Sequence, residues 1–146
     1  GAGQHTDIFT ALGTGSYNSR WWTGQVRADN SDLGIWWFGS KISDTLPAVA
    51  SIQSVQVFVS PSMIYGNPPN FGLHPHQSQP SGAPTISSLT PVGVTPGWVA
   101  LPSSFGDALK AGGGSAGIGV AHGGENIFHS LAEDSQTGAL RIVSVY

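Results

Sequence analysis

The stretch IQSVQVFVS, Ile52 to Ser60, decides the class of fold, because Val55, Val57 and Val59 alternate with Gln56 and Phe58. Successive side chains of a strand point to opposite faces, so this period of two describes a half-buried β-strand. Upstream, LGIWWFG, Leu33 to Gly39, places aromatic and β-branched residues between polar and glycine breaks and is a second strand. Between them, Lys41 to Ala50 ends in Leu46-Pro47-Ala48 and reads as an irregular connection.

Downstream, the glycines and prolines of Pro61 to Asn70 mark a loop, with Met63, Ile64 and Tyr65 inside it. Phe71 to His76 is a short strand, assigned to a sheet edge because Pro75 cannot donate to a ladder. After the turn-rich Gln77 to Pro84, strands are expected at Ile86–Leu89, Gly97–Leu101, Gly117–Ala121 and Ala139–Val145, the last with Leu140 and Ile142 as core positions. The spacing predicts one short helix over Phe105–Ala111, capped by Ser104, with Asp107 near its positive end and Gly112 as its stop. This is an all-β pattern with a single helix, spread over one domain of residues 1–146.

Composition supports that class. Among 146 residues, 21 Gly and 10 Pro punctuate the whole chain rather than one tail. Without cysteine there is neither a disulfide framework nor a thiol nucleophile. A net charge of −3, with five scattered Lys and Arg, leaves no basic stripe for phosphates, so nucleic acid is not an expected partner. No apolar run approaches the roughly 20 residues of a membrane span, and no signal peptide opens the chain. The missing initiator methionine points to a segment of a longer protein. With only 9% charged residues, solubility rests on Ser, Thr, Asn and Gln, as on secreted β-proteins and virion parts.

Several chemical motifs fail on context. Gly113, Ser115 and Gly117 match a nucleophile elbow, and Gly112, Gly114 and Gly117 match a dinucleotide fingerprint. Both need a strand before and a helix after, whereas here the order is reversed. His74-Pro75-His76 has workable metal spacing but no local third ligand, and Asp29-Asn30-Ser31-Asp32 lacks the calcium-loop pattern and fits an Asx turn. No metal or cofactor is therefore expected. Of the carboxylates, Glu125 alone stands free of a cap or turn role, and a glycosidase needs a facing pair, so catalysis is not expected.

The aromatic residues carry the functional signal. A strand cannot put Trp36 and Trp37 on one face, so their rings divide between the core and a second packed layer or subunit contact. Trp98, on the alternate face from Val99 and Leu101, is assigned to ordinary core packing. Trp21, Trp22 and Tyr65 lie in loop-like sequence, where an indole or phenol offers a flat apolar surface suited to a sugar ring, a base or a partner subunit. With Asn70, His74 and His76 as polar groups to orient hydroxyls, these six are the candidate ligand-binding residues.

Longer stretches resemble a known group. GIWWFGSKISDTLPAVASIQSVQVFVS, Gly34 to Ser60, resembles the aromatic strand, "LP" connection and following strand of DNRLRE-type β-sandwich modules and of the C-terminal modules of minor tail proteins from actinobacteria-infecting phages. GWVALPSSFGDALKAGGGSAGIGV, Gly97 to Val120, resembles a corresponding stretch of those tail modules, and HPHQSQPSGAPT, His74 to Thr85, is similar to their connecting turn. The matching positions are strand, turn and cap residues, so no functional residue carries over. The resemblance implies a jelly-roll-like antiparallel β-sandwich, the C-terminal part of a tail or fibre protein that forms a trimer. Its expected function is non-enzymatic receptor binding at a virion tail tip, with host cell-surface glycan as partner. The alternatives are a trimerising fibre cap and a carbohydrate-binding module of a secreted enzyme. Residues 1 to 33, with Trp21 and Trp22, lie outside the resemblance.

Overall fold

A computed structural model describes residues 2–146, with Thr23 described by its backbone alone. The chain forms β1 (Gln4–Phe9), β2 (Gly13–Asn18), β3 (Arg20–Thr23), β4 (Val26–Ala28), β5 (Leu33–Trp37), α1 (Lys41–Thr45), β6 (Ser51–Val59), β7 (Pro61–Tyr65) and β8 (Asn70–His74). It continues with β9 (Ser87–Pro91), β10 (Gly97–Leu101), α2 (Ser103–Ala111), β11 (Gly117–Ala121), β12 (Glu125–Phe128) and β13 (Leu140–Val145). A front sheet has the order β1-β13-β6-β10, a back sheet β3-β2-β5-β11-β8-β9, and a small apical sheet β4-β12-β7.

The antiparallel pairings are nested. β1 pairs with β13, β5 with β11, β6 with β10, and β8 with β9. Folding such a nested ribbon over itself brings β6 beside β13 and β8 beside β11, which is the jelly-roll arrangement of an all-β sandwich. The remaining strands are insertions: β2 to β4 before β5, β7 before β8, and β12 before β13.

The period-two reading of β6 holds in full. Val55, Val57 and Val59 are buried, while Gln56 and Phe58 remain half-buried on the other face. Leu140 and Ile142 of β13 share the inner face and meet Ile118, Val120 and Phe71 of the back sheet in one core. Trp36 joins them, whereas Trp37 lies on the opposite face, beside Gly13. Trp98 departs from its core assignment. It sits half-buried on the outer face of the front sheet, edge-on to Phe58 at 5.4 Å and with the Arg141 guanidinium 4.3 Å from its ring centroid. Arg141 is held there by donating 2.9 and 2.7 Å hydrogen bonds to Gln56 Oε1.

Other expectations need correction. The helix begins at Ser103 behind Pro102, with no side-chain cap and no acidic residue in its first turn. Proline presets the backbone there and needs no donor, so Ser104 and Asp107 lie inside the helix instead of capping it. Its C-terminal stop is as expected, since Gly112 adopts φ 75° and donates to Ala108. A second, one-turn helix, α1, occupies the supposed irregular connection and buries Ile42 and Leu46. β8 is not an edge strand but lies between β11 and β9, because it ends at His74 and Pro75 falls outside the ladder. Pro61–Tyr65, expected as loop, is β7, an edge of the apical sheet, where Pro61 and the exposed apolar groups are tolerated.

The apical sheet depends on a missing side chain. A Cβ at Gly34 would lie 2.5 Å from Val26 Cγ1 and 2.8 Å from the Arg27 backbone, so only glycine lets β4 rest directly on β5. The Ser16 hydroxyl fastens the contact, donating to Gln25 O at 2.8 Å and accepting from Arg27 N–H at 2.7 Å. Gly34→Ala therefore displaces β4, and overpacking of this kind costs about 1–3 kcal/mol. A lower urea midpoint than that of the parent protein checks it, and an unchanged midpoint contradicts the contact.

Candidate functional site

β2 and β3 form a hairpin in which Ser16 faces Trp22 and Tyr17 faces Trp21. Side-chain alternation then sends the adjacent tryptophans to opposite faces. Trp22 shares the inner face with Ser16, Gly34 and Trp36, but β3 is the edge of the back sheet and the opposing sheets leave it uncovered, 49% exposed. Trp21 takes the outer face, half-buried against Gly15 and edge-on to Tyr17 at 5.6 Å.

Trp22 borders a cleft of about 400 Å³ together with Ser16, Asn18, Gln25, Arg27 and Asp32. Its indole is fixed twice: Nε1–H donates to Asn18 O at 3.0 Å, and the Arg20 guanidinium lies 3.7 Å from the ring centroid. Arg20 is not among the cleft residues, so the ring meets the cleft away from that cation. Gln25 is anchored by donating to Glu133 Oε1 at 3.1 Å. The Ser130 N–H foremost, and then the Gln25 amide, hold the Glu133 carboxyl down at about 2.

Asp32, which also lines the cleft, closes the turn Asp29–Asp32. As its sequence indicates, it is an Asx turn: Asp29 Oδ1 accepts from Ser31 N–H at 2.8 Å and Asp32 N–H at 2.7 Å. Burial raises the pKa of Asp32, and so does its interaction with the neighbouring Asp29 carboxyl. Burial pulls Asp29 upward too, but the Asp32 side chain, the turn N–H groups and Arg27 outweigh it and leave the carboxyl below its ordinary range. The turn is thus rigid and polar, with Tyr65, 74% exposed, and Glu125 on its other side around a second depression of about 380 Å³.

Of the six residues singled out from sequence, the structure places Trp22 and Tyr65 on either side of this turn. The others lie elsewhere. Asn70 is half-buried and donates to Ala121 O at 3.3 Å, bracing β8 against β11. His74 is fully buried and therefore faces no ligand. Its Nε2 lies 2.8 Å from Trp36 O and its Nδ1 accepts from His76 N–H at 3.1 Å. His76 stacks on His74 at 5.5 Å, and its Nε2 accepts from Thr85 N–H at 3.1 Å, which closes the loop between them. These are structural histidines, satisfied by backbone. Among the described residues, no group of three or more His, Asp or Glu is placed to hold a metal ion, and no helix is long and apolar enough to cross a membrane.

Neither a family model, a curated protein nor a solved structure matches this chain. The likeness to phage tail modules therefore rests on the quoted motifs, and the reading of the site rests on its geometry.

Sequence reasoning missed Ser16, Asn18, Gln25 and Arg27. A signal was present in GTGSYN, where Ser16 and Asn18 fall on one face and Gly15 and Tyr17 on the other, but a polar strand of this kind resembles a loop until its partners are known.

The buried histidine gives a pH signature. Burial holds His74 at about 4 against 6.5 when unfolded, so the unfolded chain takes up a proton first as pH falls. Stability is complete above pH 6.5 and declines towards pH 4, by about 3 kcal/mol at 1.36 kcal/mol per pKa unit. Urea unfolding at steps across that window checks the sign, and a flat profile down to pH 4.5 contradicts it.

Proposed function

We propose that this protein is a non-enzymatic glycan-recognition module, acting in host-surface adhesion as the receptor-binding end of a phage tail or fibre protein. The observation that carries the glycan reading is Trp22: a half-exposed indole, immobilised by Asn18 and Arg20, at the rim of a polar cleft. Sugar rings present apolar C–H faces and a girdle of hydroxyls. A fixed aromatic plane and convergent amide, guanidinium and carboxyl groups answer both. The volume of the cleft falls in the range of small-ligand sites.

Binding without turnover is favoured by the carboxylates. Asp32 is the one carboxylate among the residues lining the Trp22 cleft, so the hollow beside the indole holds no pair of its own. The assignment to a virion, and to a trimer, comes from the sequence resemblance over Gly34–Ser60, His74–Thr85 and Gly97–Val120.

Trp22→Ala is expected to weaken retention on the cognate envelope polysaccharide at least about tenfold, a loss of ~1.4 kcal/mol. Affinity electrophoresis in gels containing galactan, mannan, glucan or solubilised cell wall reads this directly. If none of these polymers retards the parent protein, the glycan reading fails.

A second reading, the trimerising cap, is favoured by apolar groups left in water, of which Ile8 on the outer face of β1 is 58% exposed. In that case Ile8→Lys lowers the mass found by light scattering to that of a single chain. A parent protein that is already monomeric at high concentration removes this reading.

A further inference from the structure

We infer that the site is an extended groove with at least two sugar subsites, running from Trp22 across the Asp29–Asp32 turn to Tyr65, and that it selects a polysaccharide chain over a terminal sugar. This rests on the glycan reading above and specifies the ligand's form.

Continuity comes first. Asp32 lines the Trp22 cleft, while Asp29, Asn30 and Ser31 line the depression beside Tyr65, so the two hollows share one wall four residues long. That wall is the turn already fixed by Asp29, and a ligand crossing it meets preformed backbone and amide groups without ordering a loop.

The strand register supplies the span. In the apical sheet Ala28 faces Asn126, which faces Ile64, and one residue further along Glu125 faces Tyr65. Tyr65 therefore lies two strand spacings, about 10 Å, across the sheet from the start of the turn. Trp22 stands beyond the turn's other side, on the hairpin that Ser16 fastens to β4. A single pyranose ring cannot touch both aromatics, whereas consecutive units of one chain can.

The chemistry of the second hollow repeats that of the first. Tyr65 is the most exposed aromatic ring beside either hollow, and Glu125, Asn30 and Ser31 provide acceptors and donors around it. Among the described residues Glu125 forms no ion pair, so its carboxylate is available to accept from sugar hydroxyls. The hollow beside Tyr65 is shallow and open to solvent, which suits a polymer running out of it.

Calorimetric titration with soluble oligosaccharides of increasing length, cut from whichever polysaccharide retards the protein in the gel, tests the groove. Affinity is expected to rise with length and then level off. Tyr65→Ala should remove about tenfold of that gain, so that it costs the longest fragment more than the shortest. Trp22→Ala should weaken fragments of every length. Equal affinity for short and long fragments, or a Tyr65→Ala variant that binds the longest fragment like the parent, overturns the groove and leaves the Trp22 site standing. Tyr65 is exposed, so its removal leaves the core intact, and an unchanged circular dichroism spectrum confirms this. Failure to bind any fragment or polymer overturns the groove and the glycan reading together.

Discussion

The indole of Trp36 is the point on which the three sheets depend. It belongs to β5 of the back sheet, stacks near Phe71 at 6.1 Å and packs on Phe128 of the apical strand β12 at 5.5 Å. Its Nε1–H donates to Thr137 Oγ1 at 3.2 Å, and the Thr137 hydroxyl in turn donates to His129 O at 2.7 Å. Gly138 lies against the same ring, where a Cβ would come within 2.1 Å of Cδ1, and the chain passes from there into β13 of the front sheet. A buried aromatic with every polar atom paired contributes its full apolar area without a desolvation penalty. Its backbone carbonyl, meanwhile, receives His74 from across β11. One residue thus sets the register of the sandwich inside and the loop closure outside.

The candidate site is made from what the sandwich does not require. Each of its walls is an insertion between strands of the nested ribbon: the β2–β3 hairpin, the β4 strand with its following turn, and the β7 and β12 pair. These segments are held on the back sheet through Gly34 and Ser16 and by burying Val26, Ala28 and Phe128 against it. Such a division lets the walls vary while the jelly roll stays constant, the usual relation between a rigid scaffold and the loops that recognise ligands.

Legibility of the sequence followed the same division. Residues whose environment is set by near neighbours were readable: the valines of β6, the glycine that ends α2, and the Asx turn at Asp29. Those whose environment is set from a distance were not. β2 and β7 lack a strong strand pattern because pairing, rather than local composition, makes them strands. His74 looks like a surface ligand and is buried, since backbone groups from β5 and from His76 satisfy its nitrogens. The sequence pointed to the Trp21-Trp22 pair but could not separate its members, because which face remains uncovered depends on where the opposing sheets stop.

The chain ends carry one more implication. Gly3 and Tyr146 exchange backbone hydrogen bonds of 2.8 and 3.0 Å, and His5 stacks on Tyr146 at 3.7 Å, so both termini leave the sandwich side by side. β6 starts at that same end, paired with Val145, and passes into β7 through Ser60 alone. One residue is too short to reverse a strand, so Tyr65 lies farther from the termini than Val59 does. The molecule is therefore polar along its length, with both chain ends at one pole and its aromatic groove towards the other. Fusion or immobilisation through either terminus leaves the groove facing outward, and pulling on both termini together loads the β1–β13 pair before it reaches the site.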